Sequence, residues 1–600
     1  MVIPNSPHDT AEFLQPLREV ASLRGVTCPT EESFDMYCQP DHGGPAGPYG
    51  NIYRSTMSAC RSFDYFFPDA PVQVADPARV KALDALGLAM VKRDPVAGAN
   101  SALAPVLTYF GQFIDHDITA GTDRDGANEM IDAPDLAPRS REAVRTEKQN
   151  MRSGRLDLDS LYGGLPDGVP QNPADKAFLD KLVSAMRSKT FRGQMRIDVY
   201  SEDTPDSAVP FPTTDRAGDL LRLGALERDK LVTEDEILGL SDGMRKMFTR
   251  KDGKTLNPTR AIIGDARNDE NLIIAQFHLV FLRLHNRLVQ NRPGHVKASK
   301  AFDWARDRTR WIYQWLVVNE YLRKICQEDI LDDILAAGPG LYQNFLANSG
   351  CTDGKLPLPI EFSAAAFRFG HSMVRDAYDW NTFFGTKTTH DPTLPEAGSQ
   401  LLFAFTGGGE MNGFPVDRLP GNWGADWQRL IFAGAGATPT EFARKIDTHL
   451  ALELGALPGG TAGTIMAHLA RRNLRRGHML NLPSAQDCAG ELGLVPLGTA
   501  ELGEGEIAQV LSQGGLSEAT PLWYYVLREA EVRNSGEALG PLGTNLVAQT
   551  LLGLVQSDPG SYWHQTGTGG ARWTPADLVA DGLPDLSSIE AVMRFGGHLR

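Results

Sequence analysis

Apolar residues recur at helical spacing in eight stretches of this chain: 101–119, 270–292, 300–325, 362–376, 440–453, 461–476, 519–532 and 542–557. Strand-like signals are few and short, Ala261-Ile-Ile-Gly264 among them. A 3.6-residue period calls for helices that bury one face against another helix. The chain is therefore read as mainly α with few short β-strands. No composition break divides residues 91–600, which are read as one large helical domain. Residues 1–90, with runs such as Gln39-Pro-Asp-His-Gly-Gly-Pro-Ala-Gly-Pro48, are read as an irregular extension packed on that body.

Charge narrows the partners. A net charge of −16 over 600 residues disfavours general binding to nucleic acid or to anionic membranes. Eighteen consecutive apolar residues occur nowhere, so no membrane span is expected. The first residues, Met1-Val-Ile-Pro-Asn-Ser-Pro-His-Asp9, lack a basic segment followed by an apolar one, so no secretory leader is expected; the compartment stays open between cytoplasmic and leaderless or processed secreted. The six cysteines contain no CxxC pair, which argues against a tetrahedral zinc site. Cys28 with Cys38, or Cys326 with Cys351, could pair in an oxidising compartment. Oligomeric state is not legible.

Five constellations carry chemistry. In Gln112-x-x-Asp115-His116-Asp117, helical spacing puts Gln112 above Asp115 and His116. Asp117 stands about 100° further round the axis. One face can address a ligand while Asp117 addresses something else. A solvated helix end, or a metal site of hydrolase type, fits the same triplet. In Gly264-Asp-Ala-Arg267-Asn-Asp-Glu270, Arg267 and Glu270 share a face at the start of a long helix that continues through His278 and His285, two histidines read as structural. A dipole-favoured first-turn glutamate is the plain alternative. In Phe367-Arg368-Phe369-Gly370-His371, small residues Ala364 to Ala366 precede a histidine and would admit a flat ligand; a hydrogen-bonded core histidine fits as well. In Arg471-Arg-Asn473-Leu-Arg-Arg476, basic residues complement a helix C-terminus or meet the carboxylates of a bound acid. In Ser153-Gly-Arg155-Leu-Asp157-Leu-Asp159, alternating oxygen donors suit Ca²⁺, with Asp117 able to complete the set.

In this order and with these spacings, the five segments resemble the animal-type haem peroxidases of the peroxidase–cyclooxygenase superfamily. The resemblance covers roughly residues 95–560, including Thr520-Pro-Leu-Trp-Tyr-Tyr-Val-Leu-Arg-Glu-Ala530 and Leu539-Gly-Pro-Leu-Gly543, and its style is that of bacterial members. It implies a helical haem peroxidase fold. It also implies a haem b cofactor and a reaction in which H₂O₂ oxidises the haem and a halide, thiocyanate or phenol returns the electrons. His116 then resembles the distal base, Arg267 the distal arginine and Gln112 the distal glutamine. His371 resembles the proximal iron ligand, Asn473 its hydrogen-bond partner and Arg476 the partner of a haem propionate. Asp115 and Glu270 resemble the carboxylates that become haem esters. Asn271 stands where a sulfonium-forming methionine would be needed, so no such link is expected. Asp117, Ser153, Arg155 (through its carbonyl), Asp157 and Asp159 resemble the calcium ligands. The family usually has a hydroxyl at the last of these positions.

Cyclooxygenases and fatty-acid dioxygenases of the superfamily carry a radical-forming tyrosine three residues before the proximal histidine. This chain has Arg368 there, as peroxidases do, which ranks the dioxygenase reading below the peroxidase one. Two further readings stand beside it: a non-catalytic haem-fold adhesion or matrix protein, and a metal-dependent hydrolase built on Asp115-His116-Asp117.

Overall fold

The computed structural model describes residues 61–91, 99–120, 131–150, 152–163, 172–201, 216–250, 252–351, 354–385, 397–402, 406, 418–431, 442–457 and 463–599. Helices dominate. The four two-residue strands form two small sheets: Phe63–Asp64 (β1) pairs in parallel with Leu358–Pro359 (β2), and Ala377–Tyr378 (β3) pairs antiparallel with Ala397–Gly398 (β4).

Seven helices build the frame. They are α1 (Pro77–Met90), α2 (Pro105–Ile118), α3 (Leu272–Gln290), α4 (Ala301–Leu316), α5 (Leu469–Met479), α6 (Leu522–Asn534) and α7 (Pro541–Ser557). α3 is the central rod: among its residues only Asn286, Arg287 and Gln290 escape burial, and it packs against α2, α4 and the C-terminal helix Ile589–Gly596. Phe113, Phe277, Phe281 and Tyr313 interlock where α2, α3 and α4 meet, with Phe113 and Phe281 stacked at 5.1 Å. Ring pairs of this kind add about 0.5–1.5 kcal/mol each beyond their burial. Among the described residues, no helix is long and apolar enough to cross a membrane.

Several boundaries differ from the sequence reading. The periodicity at 101–119 becomes a helix over Pro105–Ile118, because Pro105 takes the first turn and Thr119 closes the end. The Thr119 hydroxyl donates to the Asp115 carbonyl at 2.8 Å. The helix expected over 362–376 is instead a short turn, Ile360–Ala364, and a 3₁₀ segment, Ala366–His371, broken at Ala365 (φ −134°, ψ −73°). The 3₁₀ segment packs against α6 and α7, so tertiary contact overrides the local period. The helix expected over 440–453 is not formed in its described part: Arg444 and Leu450 donate their backbone N–H groups to Met373 and Met90, leaving only the 3₁₀ turn Leu452–Gly455. The 461–476 stretch becomes α5, starting later with His468 as its N-cap. Ala261 forms a single bridge with Arg222 rather than a strand.

Within the segment read as an irregular extension, residues 1–60 lie outside the described residues. Residues 77–90 form α1, whose Asp76 side chain caps Ala78 and whose buried face packs on α5. The loop-rich region before residue 260 also contains the helix Pro173–Ala185. The Cys326–Cys351 bridge is not made: Cys351 is disulfide-bonded, whereas Cys326 is a free, buried thiol. Cys28 and Cys38 lie outside the described residues.

Candidate active site

A cavity of about 310 Å³ (the space open to the centres of water molecules) lies between α2, the turn before α3, the Ala366–His371 segment and α5. Gln112, Asp115 and His116 line it from α2, and Arg267 and Glu270 from the turn. Arg368 and His371 line it from the 3₁₀ segment, and Arg476 from α5. Asp117, one residue beyond His116, turns away and is fully buried elsewhere. Helical geometry alone separates these neighbours.

The turn that carries Arg267 is a four-residue 3₁₀ segment, Ala266–Asp269, clamped at both ends by buried ion pairs. At its start, Asp265 accepts from the Arg267 backbone N–H at 2.9 Å and pairs with Arg267 at 2.7 Å and Arg152 at 2.6 Å. Burial pushes the Asp265 carboxyl up, but Arg267 and Arg152 prevail and hold it well below the usual carboxylate range. At its end, Arg222 donates to Asp269 at 3.1 Å. Removing one member of such a pair leaves a buried uncompensated charge, at a cost of about 3–5 kcal/mol. Arg267 also donates through Nη2 to the carbonyls of His116 and Thr119. Nε and Nη2 make these bonds, which fix the guanidinium where Arg267 lines the cavity.

His116 is 4% exposed. Its Nδ1 lies 2.8 Å from Asn268 Oδ1, and its Nε2 lies 3.6 Å from Glu270 Oε1. Burial, then the Arg267 charge, lowers its pKa to about 4, so it is neutral near pH 7 and able to accept a proton. Glu270 accepts from the Gln112 amide. Asn271, expected to rule out a sulfonium link, serves as the α3 N-cap, accepting from the Ile274 N–H at 3.0 Å while its amide reaches Gln112 Oε1 at 3.5 Å. Asp115 accepts from the Thr119 hydroxyl at 3.0 Å.

Across the cavity, His371 Nδ1 lies 2.9 Å from the Asn473 side-chain amide. The other end of that amide, Oδ1, is buried without a hydrogen-bond partner. Turned over, the amide would accept from Nδ1–H and leave the lone pair on Nε2, the form of imidazole that binds a metal. An Nδ1–H tautomer of His371 is thus compatible with this amide, with the amide nitrogen then the end without a partner among the described residues. Trp523 packs edge-on against the His371 ring at 6.4 Å and donates to the Arg368 carbonyl at 3.1 Å. Arg368 donates to the Ser363 carbonyl, and burial lowers its pKa.

Asp117, Asp157 and Asp159 bring carboxylate oxygens within 4.8 Å of one another. Leu158, between the last two, adopts a left-handed conformation (φ 57°) that turns the loop toward α2. Gly264 permits the approach, since a Cβ there would sit 2.1 Å from the Asp159 carbonyl. Asp117 accepts from the Ser160 hydroxyl at 2.9 Å and the Leu158 N–H at 3.1 Å, while Asp157 accepts from the Ser153 hydroxyl at 3.0 Å. Burial, then Asp157, raises the Asp117 carboxyl to about 7. Arg152 offsets part of this charge through Asp159 at 3.0 Å. Three crowded carboxylates, Asp117 buried and Asp157 and Asp159 half-buried, match the hard oxygen set that a dication takes. The Arg155 side chain points to Gly354 and Asp558 and is not part of the cluster.

The sequence reading gave no role of their own to Tyr321, Arg375, Arg472 and Asn268, although Arg472 stood within its Arg471–Arg476 constellation. The first three line the cavity. Tyr321 is delivered by a π-helical turn, Val317–Tyr321, and its hydroxyl fills the space a Cβ at Gly111 would need. Such turns cluster at functional sites, but nothing in the residue pattern announces one.

A family model described as animal haem peroxidase matches residues 219–399, which hold the Arg267–Glu270 turn and the Arg368–His371 segment. A "Peroxidase-like protein" of Margaritifera margaritifera is 27% identical over 288 residues, 46% of this chain and 32% of that one. Among solved structures, Peroxidase A from Dictyostelium discoideum matches 94% of this chain and 97% of its own, with a TM-score of 0.51 at 14% identity. The Oryza sativa fatty acid alpha-dioxygenase matches 98% of this chain and 90% of its own, with a TM-score of 0.51 at 12% identity. Identities this low speak for the fold alone. The chain spans a third or less of the curated relatives it matches.

Proposed function

We propose, for a chain that belongs to the animal haem peroxidase family, a haem-dependent peroxidase that uses H₂O₂ to oxidise a small anion, such as a halide or thiocyanate, or a phenolic donor. One observation carries the reading. Two histidines on separate elements line one cavity, with Arg267 and Gln112 beside His116 and Asn473 behind His371.

In this reading His371 would hold the iron, Arg476 would meet a propionate, and Asp115 and Glu270 would become esters of porphyrin methyl groups, each link a two-electron oxidation in which one H₂O₂ is reduced to water. Bound there, haem b supplies the two-electron redox chemistry. His116 takes the proton from peroxide at Nε2 and returns it to the departing oxygen, a role worth about 10²–10⁴ in rate. Arg267, its orientation set by Asp265, stabilises charge that develops as the O–O bond breaks. Asp117, Ser153, the Arg155 carbonyl, Asp157 and Asp159 hold Ca²⁺ and tie the loop to the helix that carries His116. Arg368 offers no phenol for a tyrosyl radical, so lipid dioxygenation is the weaker reading.

The test is an absorbance spectrum of the folded protein, with and without added hemin, before and after peroxide, followed by a screen of halide, thiocyanate and phenol donors. A Soret band and peroxide-dependent turnover, both lost or strongly reduced in His371→Ala, are expected. Folded protein that stays colourless with hemin would overturn the reading. Tightly bound haem with no turnover on any donor would return it to a non-catalytic haem-fold protein.

A further inference from the structure

We propose that Asn268 and His278 are positioning residues for His116: the Asn268 amide, held by the His278 imidazole, keeps the His116 proton on Nδ1 and its lone pair on Nε2, at the cavity. This rests on the reading of His116 as the proton acceptor.

The geometry is a chain of three buried side chains. Asn268 Oδ1 lies 2.8 Å from His116 Nδ1, and Asn268 Nδ2 lies 3.1 Å from His278 Nδ1. Asn268 and His278 are fully buried. A primary amide accepts at oxygen and donates at nitrogen. His116 therefore donates from Nδ1, and His278 accepts at Nδ1 and carries its own proton on Nε2. Each link sets the next.

The arrangement opposes a specific competitor. Before any ester to Glu270 forms, its Oε1 stands 3.6 Å from His116 Nε2, and a carboxylate there draws the imidazole proton onto Nε2. In that tautomer the lone pair would sit on Nδ1, facing the core and useless to a substrate in the cavity. Without the Asn268 acceptor, a charge-assisted bond to Glu270 favours the wrong tautomer by about 10- to 100-fold.

His278 is needed because an amide anchored only at oxygen could turn over and present its nitrogen to His116, which reverses the tautomer. Burial lowers the His278 pKa to about 3, so the ring stays neutral, and with the amide nitrogen facing it at 3.1 Å it accepts at Nδ1. Phe113, on the helix that carries His116, packs edge-on against its ring at 6.1 Å. The arrangement carries a penalty: His278 Nε2 is buried without a hydrogen-bond partner. A histidine present only for packing has no use for that loss, since an apolar side chain would fill the space without it. A histidine that orients an amide does.

The experiment uses the full chain and the variants Asn268→Ala, Asn268→Asp and His278→Phe. Imidazole nitrogen shifts are recorded on ¹⁵N-histidine-labelled protein before haem is added, with His116→Gln to assign the His116 signals. The same proteins, loaded with hemin, are mixed with H₂O₂ in a stopped flow. His116 is expected as the Nδ1–H tautomer in the unmodified protein. In Asn268→Ala it shifts toward Nε2–H, and the peroxide rate falls about 10- to 100-fold with the Soret band unchanged. Asn268→Asp, which still accepts, keeps the tautomer and stays within a few-fold of the parent rate, while His278→Phe gives a mixture of tautomers and an intermediate rate. If Asn268→Ala does not fold, the contrast between Asn268→Asp and His278→Phe decides. An Nε2–H tautomer in the unmodified protein, or an unaltered tautomer in His278→Phe, would overturn the proposal. The nitrogen shifts are read without haem, so failure to take up hemin sinks the peroxidase reading while the tautomer result stands on its own.

Discussion

The Nδ1 atom of His371 and the side-chain amide of Asn473 stand 2.9 Å apart, and the far end of that amide has no other partner. Turned so that its oxygen faces Nδ1, the amide is a neutral acceptor that withdraws less of the ring proton than a carboxylate would, so in the proposed reading the imidazole would be a weaker donor to iron. Asn473→Asp is expected to lower the midpoint potential of the haem-loaded protein. A 10- to 100-fold change in ligand strength corresponds to roughly 60–120 mV for one electron. Spectroelectrochemical titration of the Soret band measures it. An unchanged or higher potential would count against His371 as the iron ligand.

Covalent attachment is the next consequence. Asp115 and Glu270 line the cavity from different elements, each held by a neighbour, Thr119 for the first and Gln112 for the second. After peroxide treatment, most haem should resist extraction with acidified acetone. Asp115→Asn and Glu270→Gln should each leave haem attached through the remaining carboxylate, and the double variant should release all of it. Intact-mass spectrometry of the denatured chain reads the attachment directly. Complete release from the unmodified protein would remove both esters and leave the peroxidase reading standing.

The parts of this site that lie on one helix were legible from the sequence, because an i, i+3, i+4 relation fixes which side chains share a face. Gln112, Asp115 and His116 face one cavity for that reason, and Asp117 leaves it for the same reason. The parts that depend on chain segments far apart were not. Nothing local marks Asn268, between an arginine and an aspartate, as the residue that bridges His116 and His278 across 152 and 10 positions. The Ala364–Ala366 run has helical composition, yet packing against α6 and α7 breaks it at Ala365. Arg444 and Leu450 lie in a stretch whose apolar residues show helical spacing, but they take backbone partners at Met373 and Met90.

Calcium at the Asp117, Asp157 and Asp159 cluster would neutralise charge that Arg152 offsets only in part. Chelation should therefore lower the melting temperature. At a free concentration of 100 times its dissociation constant, a bound ion contributes about 2.7 kcal/mol. Asp157→Ala should remove most of the calcium dependence without touching the haem cavity directly. Thermal unfolding in EDTA, then with Ca²⁺ restored, measures the effect. A melting temperature indifferent to both would exclude a structural ion at this cluster.

His285 links stability to pH away from the cavity. Its Nδ1 lies 3.0 Å from the Tyr162 hydroxyl and its Nε2 lies 2.9 Å from the Gly193 carbonyl, so the neutral ring is satisfied on both sides. Burial lowers its pKa from 6.5 to about 4. Unfolded chains then bind a proton here below pH 6.5, and the folded chain does so only near pH 4. Between those values the unfolded state holds more protons, so stability falls as pH falls, by at most about 1.4 kcal/mol per pH unit for this group. Above pH 6.5 the contribution is fully present. His285→Phe should lower stability at pH 7, because Tyr162 and Gly193 lose their partner, and should also flatten the slope between pH 6.5 and 4. Urea midpoints at pH 7, 6 and 5 for the two proteins test both effects. A variant with an unchanged slope would assign the acid sensitivity to other buried histidines, of which His278, with a pKa near 3, is the next to replace.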